Sequence, residues 1–235
     1  MKKIVVSILI VIGIITGGFV FYTSDYYHAS DYAMQIMEDE CVETYDDYYV
    51  FMPEEVKAGF IFYPGGLVET QSYAPFMKEC AKQGILCVLV KMPFHLAVLN
   101  VDGADGIIDQ YDVDHWYIGG HSLGGSMAAS YVSKHIDEYE GLILLASYST
   151  EDLSQSGLEV LSVYGSEDGV LNKEKYRENI ANLPLGFVEH IIDGGNHAYF
   201  GNYGEQDKDG KAHILPDEQI NMTIDYMKEF VNGVE

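Results

Sequence analysis

Residues 117–127 read YIGGHSLGGSM, with Ser122 between Gly120 and Gly124 in a G-x-S-x-G pattern. A serine hydroxyl is a poor nucleophile at neutral pH. It attacks an acyl carbonyl only when a base takes its proton and a third group fixes the tautomer of that base. Downstream, VLSVYGSEDGV places Asp168 just past an apolar run, and IIDGGNHAYFGNYG places His197 just past another. The order Ser, Asp, His is the one expected when each residue follows a strand and all three meet at one edge of a sheet. Glu167 and Asp193 compete for the role of acid. Glu167 adjoins Asp168, whereas Asp193 is so near His197 in sequence that reaching the far imidazole nitrogen demands a tight turn. The spacing around Ser122 is a weak signal alone, since a Gly-rich turn with an incidental serine gives the same letters.

Acyl transfer also needs donors for an oxyanion, ordinarily the N–H after the nucleophile and another from the loop after the third strand. Here those are Leu123 and a residue of YPGGLVET, in which Gly65 and Gly66 let the backbone turn inward and make Gly66 or Leu67 the second donor. A plain Pro-Gly turn is the alternative reading. His121 lies inside the turn, with its side chain expected to point away from Ser122 into packing. His28, His95, His115, His135, His190 and His213 each have an ordinary surface or core reading. No metal-ligand spacing is present, and DKDG at 207–210 lacks the other ligands of a calcium loop and reads as a solvated turn. The expectation is a site without metal or cofactor.

Positioning these residues requires strands that end at each of them. YYVFMP, AGFIFYPGG, ILCVLVKMP, HWYIGG, GLILLAS, LEVLSVYG and FVEHIID read as strands, β-branched and aromatic runs closed mostly by Pro or Gly. Helices are expected from Ser30, over SYAPFMKECAKQG, over DGADGIIDQY, over LGGSMAASYVSKHIDEY, over NKEKYRENIANL and over PDEQINMTIDYMKEFVNG. Apolar strands alternating with helices imply an α/β fold with a mostly parallel central sheet covered on both faces. Only YSTEDLSQSG separates GLILLAS from LEVLSVYG, so no cap domain is expected and the site is read as open, which disfavours an interfacially activated lipase. Met92, Phe94, Tyr199 and Phe200 are candidates for its apolar walls, against ordinary packing. The stretch FGNYGEQDKDGKAHI is long for a bare connection and could form a rim.

Ahead of this domain, residues 4–22 hold no charge and are long enough as a helix to cross a ~30 Å hydrocarbon layer. The expected division is residues 1–24 as a membrane anchor or uncleaved signal and 25–235 as the α/β domain. Lys2 and Lys3 on one side and Asp25 and Asp31 on the other orient the body outside the cytoplasmic membrane, single-pass; a secreted form is the alternative. Lys and Arg total 13 against 37 Asp and Glu, a net charge of −24 spread along the chain, which argues against nucleic acid as a partner. Cys41, Cys80 and Cys87 have no metal spacing, and the last two read as buried thiols.

Taken together, FYPGG, VKMPFHLAVLN, GGHSLGG, LLASYS, VYGSEDGV and GGNHAYFGNYGEQDKDGKAHI resemble, in order and spacing, the compact cap-less alpha/beta-hydrolase fold-5 family over about residues 31–233. The resemblance implies Ser122 as nucleophile, Asp168 as acid, His197 as base and Leu123 with the 65–67 loop as oxyanion hole. The expected function is a serine hydrolase of a carboxylic ester or related acyl bond, with a small-molecule or acyl-bearing substrate. A peptidase or thioesterase of the same fold, or a non-catalytic surface-anchored binding protein on that scaffold, are the alternatives. Neither the natural substrate nor the oligomeric state is readable from the chain.

Overall fold

Strands that are apolar on both faces can be buried only inside a sheet covered on both sides, and the chain folds in that way. A computed structural model describes residues 2–232; Met1 and residues 233–235, the outer ends of the two expected domains, lie outside the described residues. In chain order the elements are α1 Lys2–Ser24, α2 Asp31–Ile36, β1 Val42–Thr44, β2 Tyr48–Phe51, β3 Ala58–Tyr63, α3 Ala74–Lys82, β4 Ile85–Val90 and β5 Trp116–His121. They continue as α4 Leu123–Val132, β6 Gly141–Leu145, β7 Glu159–Gly165, α5 Lys173–Asn179, β8 Val188–Ile192 and α6 Pro216–Asn232.

The strands form one eight-stranded sheet in the order β1-β2-β4-β3-β5-β6-β7-β8. β1 and β2 join it antiparallel, and every pairing from β4 to β8 is parallel. Alternation along the central strands feeds two cores. Phe60 and Phe62 of β3 and Leu161 and Val163 of β7 pack with Phe76 and Met77 of α3 and Ile224 and Met227 of α6. Ile61, Tyr63, Leu142, Leu144 and Val160 face the other way, onto Ala128, Ala129 and Val132 of α4. The small residues of α4 let it lie close to the sheet.

All parallel strands present their carboxyl ends at one edge, so the loops after β3, β4, β5, β7 and β8 share that edge. Helix α1 stands apart from both cores, with side chains from Ile8 to Tyr22 largely exposed and Thr23 buried at its end. Cys80 and Cys87 are buried free thiols, and Cys41 is a half-buried one.

Two expectations are corrected, and one strand was not expected. The stretch 102–111 forms only a short 3₁₀ turn at Ile108–Gln110, because Gly106 takes a left-handed conformation (φ 67°) that interrupts helix. Helix α4 stops at Val132 and does not run to Tyr139. His135 leaves helical geometry (φ −130°, ψ 34°), stacks on Tyr131 and bonds Glu138, and a separate 3₁₀ turn follows at Ile136–Glu138. β1 was absent from the sequence reading, being a short edge strand with two exposed residues.

Candidate active site

β5 ends at His121 and α4 begins at Leu123, so Ser122 alone makes the turn between strand and helix. It does so at φ 52°, ψ −120°, a conformation that costs an L-residue of order 1–3 kcal/mol and persists only where the surroundings impose it. They impose it by lack of room. A Cβ on Gly124 would stand 2.1 Å from the Tyr63 carbonyl oxygen and 2.3 Å from that of Pro64, and one on Gly120 would stand 2.5 Å from the same Tyr63 oxygen. The turn is fastened to β6 and the residues after it. The Ser122 N–H donates to the Leu145 carbonyl oxygen (2.9 Å), and the Ser147 hydroxyl donates to the Ser122 carbonyl oxygen (2.7 Å). Ser122 itself is half-buried.

Asp168 follows β7 and His197 follows β8, and the two side chains meet. His197 Nδ1 lies 2.9 Å from Asp168 Oδ2, with both side chains at 1% exposure or less. The other Asp168 oxygen accepts from the N–H groups of Val170 (2.9 Å) and Leu171 (2.7 Å), which satisfies the buried carboxylate and fixes its rotation. A carboxylate can only accept, so the imidazole donates from Nδ1 and keeps the Nε2 lone pair free. Of the competing acids, Glu167 accepts from the Ser166 hydroxyl (3.0 Å) and Asp193 is exposed. Among the described residues no hydrogen bond joins the Ser122 hydroxyl to His197. His121, the neighbour of Ser122, lies with its ring centroid 4.5 Å from that of His197, which places the turn and the acid–base pair side by side.

On the nucleophile's other flank, the loop after β3 comes against Leu123, with a Cβ on Gly66 falling 3.0 Å from Leu123 Cδ2. The Leu67 N–H donates to the His95 carbonyl oxygen (2.8 Å), so of the two donors expected from this loop Leu67 is already committed and Gly66 is the candidate. Gly65 donates its N–H to the Tyr73 hydroxyl (3.0 Å), whose oxygen lies 2.8 Å from His121 Nδ1. His121 is buried as the sequence suggested, and it is a member of this network. Burial holds its imidazole well below the usual histidine range, with the charge of His197 acting in the same direction.

The residue that sequence reasoning missed is Asp209. Its Oδ1 accepts from the N–H groups of Gly169 (3.0 Å), His197 (3.2 Å) and Gly210 (2.8 Å), and its Oδ2 from that of Ala198 (2.9 Å). One carboxylate thereby ties the loop bearing Asp168 to the loop bearing His197. The DKDG segment is thus a clamp and not a solvated turn. Asn196 adds a bond to the Gly210 carbonyl oxygen (3.1 Å), and buried Gln219 brackets the Asn196 backbone. The suggested walls divide: Met92 and Phe200 are buried packing residues, Tyr199 is half-buried, and Phe94 is exposed. A cleft of about 530 Å³ lined by Lys57, Lys78, Lys82 and Lys228 lies at the opposite, amino-terminal edge of the sheet and touches none of these groups.

Comparison with known proteins bears on this edge. The sequence profile of the Alpha/beta hydrolase family matches residues 59–221, a span that includes Ser122, Asp168 and His197. No curated protein matches the chain. Among solved structures, Est1E from Butyrivibrio proteoclasticus is similar at 14% identity, with 82% of this chain and 96% of that one covered and a TM-score of 0.60. Esterase 2 of Thermogutta terrifontis, phosphonylated by cyclosarin, is similar at 14% identity over 83% and 95% of the two chains, TM-score 0.58. A CIB-like hydrolase from Thermoplasma acidophilum is similar at 16% identity over 80% and 96%, TM-score 0.58. At these identities the likeness is one of fold.

Proposed function

Because the chain belongs to the Alpha/beta hydrolase family, we propose that it is a serine hydrolase of carboxylic esters or related acyl bonds, with Ser122, His197 and Asp168 as its triad. The observation that carries the reading is the buried His197–Asp168 pair at 2.9 Å, set beside a serine held in a strained turn. In the proposed reaction His197 Nε2 takes the Ser122 proton as Oγ attacks the acyl carbonyl, and Asp168 stabilises the imidazolium. The N–H groups of Leu123 and Gly66 receive the oxyanion. The leaving group departs with the proton from His197, and water, deprotonated by the same imidazole, releases the acid and restores Ser122. These steps need no metal or cofactor. The preference for esters takes support from the similar structure that is named an esterase, that of Thermogutta terrifontis.

Residues 2–24 complete the reading as a membrane segment, with Lys2 and Lys3 on the cytoplasmic side and the hydrolase domain from residue 25 outside. Fluorophosphonate labelling of the full chain in detergent tests the mechanism without presuming a substrate. The expected result is label on Ser122 and its loss in His197→Ala, with ester turnover in Ser122→Ala lower by roughly 1,000-fold or more. A folded protein that takes no label would favour a binding protein on this scaffold and overturn the proposal.

A further inference from the structure

Helix α1 is joined to the domain without slack, and the surface it is held against is the rim of the candidate site. Tyr27, just past the end of α1 at Ser24, forms a parallel bridge with Val68. Its N–H donates to the Leu67 carbonyl oxygen and its own carbonyl oxygen accepts from Glu69, both at 2.8 Å. The Asp207 N–H donates to the Tyr27 hydroxyl (3.0 Å), and the Ser30 N–H to the Asn202 carbonyl oxygen (2.9 Å). The stem is thus fastened to the loop that carries Gly66 and to the segment that carries Asp209. About one turn inside the end of α1, the Phe19 ring meets Phe94 edge-on with centroids 5.2 Å apart, and Tyr26 stacks on His95 at 4.0 Å.

Phe94 belongs to the segment after β4, on the same edge as Ser122, and its turn Ala97–Leu99 packs against α4. That segment leaves Phe94 55%, Val98 53% and Leu99 48% exposed. Three large apolar side chains on this edge are about half exposed, and one of them touches α1.

Lengths fix the consequence. The 23 residues of α1 span ~35 Å at ~1.5 Å each, slightly more than a ~30 Å hydrocarbon layer. From Ser24 to Tyr27 the chain can extend at most ~10 Å, against a headgroup zone of ~5–8 Å in each leaflet. With α1 across the bilayer the site's edge cannot stand clear of it, and Phe94 lies beside a ring that is already inside the span.

We propose that Phe94, Val98 and Leu99 are seated in the surface of the bilayer and that the site draws its substrate from there, as a hydrophobic or amphiphilic ester resident in the outer leaflet. The proposal rests on the serine-hydrolase reading above and on α1 spanning the membrane. A lid gated by an interface is not needed, because the tether supplies the interface permanently. With a net charge of −24 the surface that fits is zwitterionic and not anionic. The apolar rim then lies where exposed apolar area is favoured and not in water, where a contiguous patch promotes association.

The full chain in phosphatidylcholine vesicles tests this with two esters of one chromophore: 4-nitrophenyl acetate, which stays in water, and 4-nitrophenyl palmitate, which enters the bilayer. Replacing Val98 and Leu99 together by Ser is expected to lower palmitate turnover about 10-fold and leave acetate turnover unchanged. Unchanged turnover of both esters would overturn the proposal. A second measurement is independent of turnover. Trp116, the sole tryptophan, is buried, so Leu99→Trp adds a second emission that brominated phosphatidylcholine should quench. No quenching beyond that of Trp116 overturns the placement, whether or not Ser122 reacts. Quenching together with an unlabelled Ser122 would sink the hydrolase reading, and the substrate with it, while leaving the rim on the membrane.

Discussion

The turn that carries Ser122 is held by lack of room, whereas the loops that carry Asp168 and His197 are held by hydrogen bonds to one carboxylate. Around Ser122, Gly120 and Gly124 bring the turn so close to Tyr63 and Pro64 that no further carbon fits. Around the acid–base pair, the loops after β7 and β8 are joined through the Asp209 oxygens and four backbone N–H groups. Steric restraint admits no added atom and is indifferent to charge. Restraint by hydrogen bonds tolerates an isosteric change and fails when the acceptor is deleted, because each buried donor left without a partner costs its desolvation. The two halves should therefore fail differently, one by not folding and the other by losing alignment.

Gly124→Ala is the severest test of that contrast. A Cβ 2.1 Å from one carbonyl oxygen and 2.3 Å from the next forces backbone apart, with an expected loss of about 4 kcal/mol or more in urea unfolding. A variant that unfolds at the wild-type midpoint would mean that the turn is slack and the contrast false. Asp209→Ala should cost less, about 2–4 kcal/mol, while lowering kcat for a soluble ester by roughly 10- to 100-fold at little change in KM. Asp209→Asn keeps one oxygen as acceptor and should recover most of that kcat. If Asn were no better than Ala, the carboxylate would not be aligning the loops by accepting hydrogen bonds.

The same difference decides what could be read from the sequence. Ser122, Asp168 and His197 are chemically distinctive residues placed at the ends of apolar runs, and the glycines around Ser122 are themselves the mark of close approach. The central strands were legible because burial on both faces leaves continuous apolar letters, as in AGFIFY and ILCVLV. Asp209 was not legible. Its partners are backbone N–H groups, which every residue but proline carries, and Gly169 is far away in sequence, so DKDG looked like any polar turn. The choice between Gly66 and Leu67 was not legible for a related reason: that the Leu67 N–H is bonded to the His95 carbonyl oxygen depends on a contact between two loops, not on either loop's composition. The bridge from Tyr27 to Val68 is equally silent, a pairing of main chain across the stem.

His121 lies where the two halves touch, and it gives the smallest of these effects. Its Nδ1 is bonded to the Tyr73 hydroxyl, which also holds the Gly65 N–H, and its ring abuts that of His197. Burial keeps its folded-state pKa well below the usual value, with His197 adding to the shift, whereas in the unfolded chain it titrates near 6.5. Below about pH 6.5 the unfolded chain therefore binds a proton that the folded one does not. The contribution is complete above that pH and is lost as pH falls, by up to about 1.4 kcal/mol for each unit. Unfolding free energies measured at pH 6.5 and 5.5 should fall less steeply for His121→Gln than for the wild type by about 1 kcal/mol, because the unfolded imidazole is already half protonated at pH 6.5. Equal slopes would mean that His121 takes up the proton while folded. Such a proton would oppose the imidazolium that acyl transfer requires on His197, so a neutral His121 is a condition that both halves of the proposed site share.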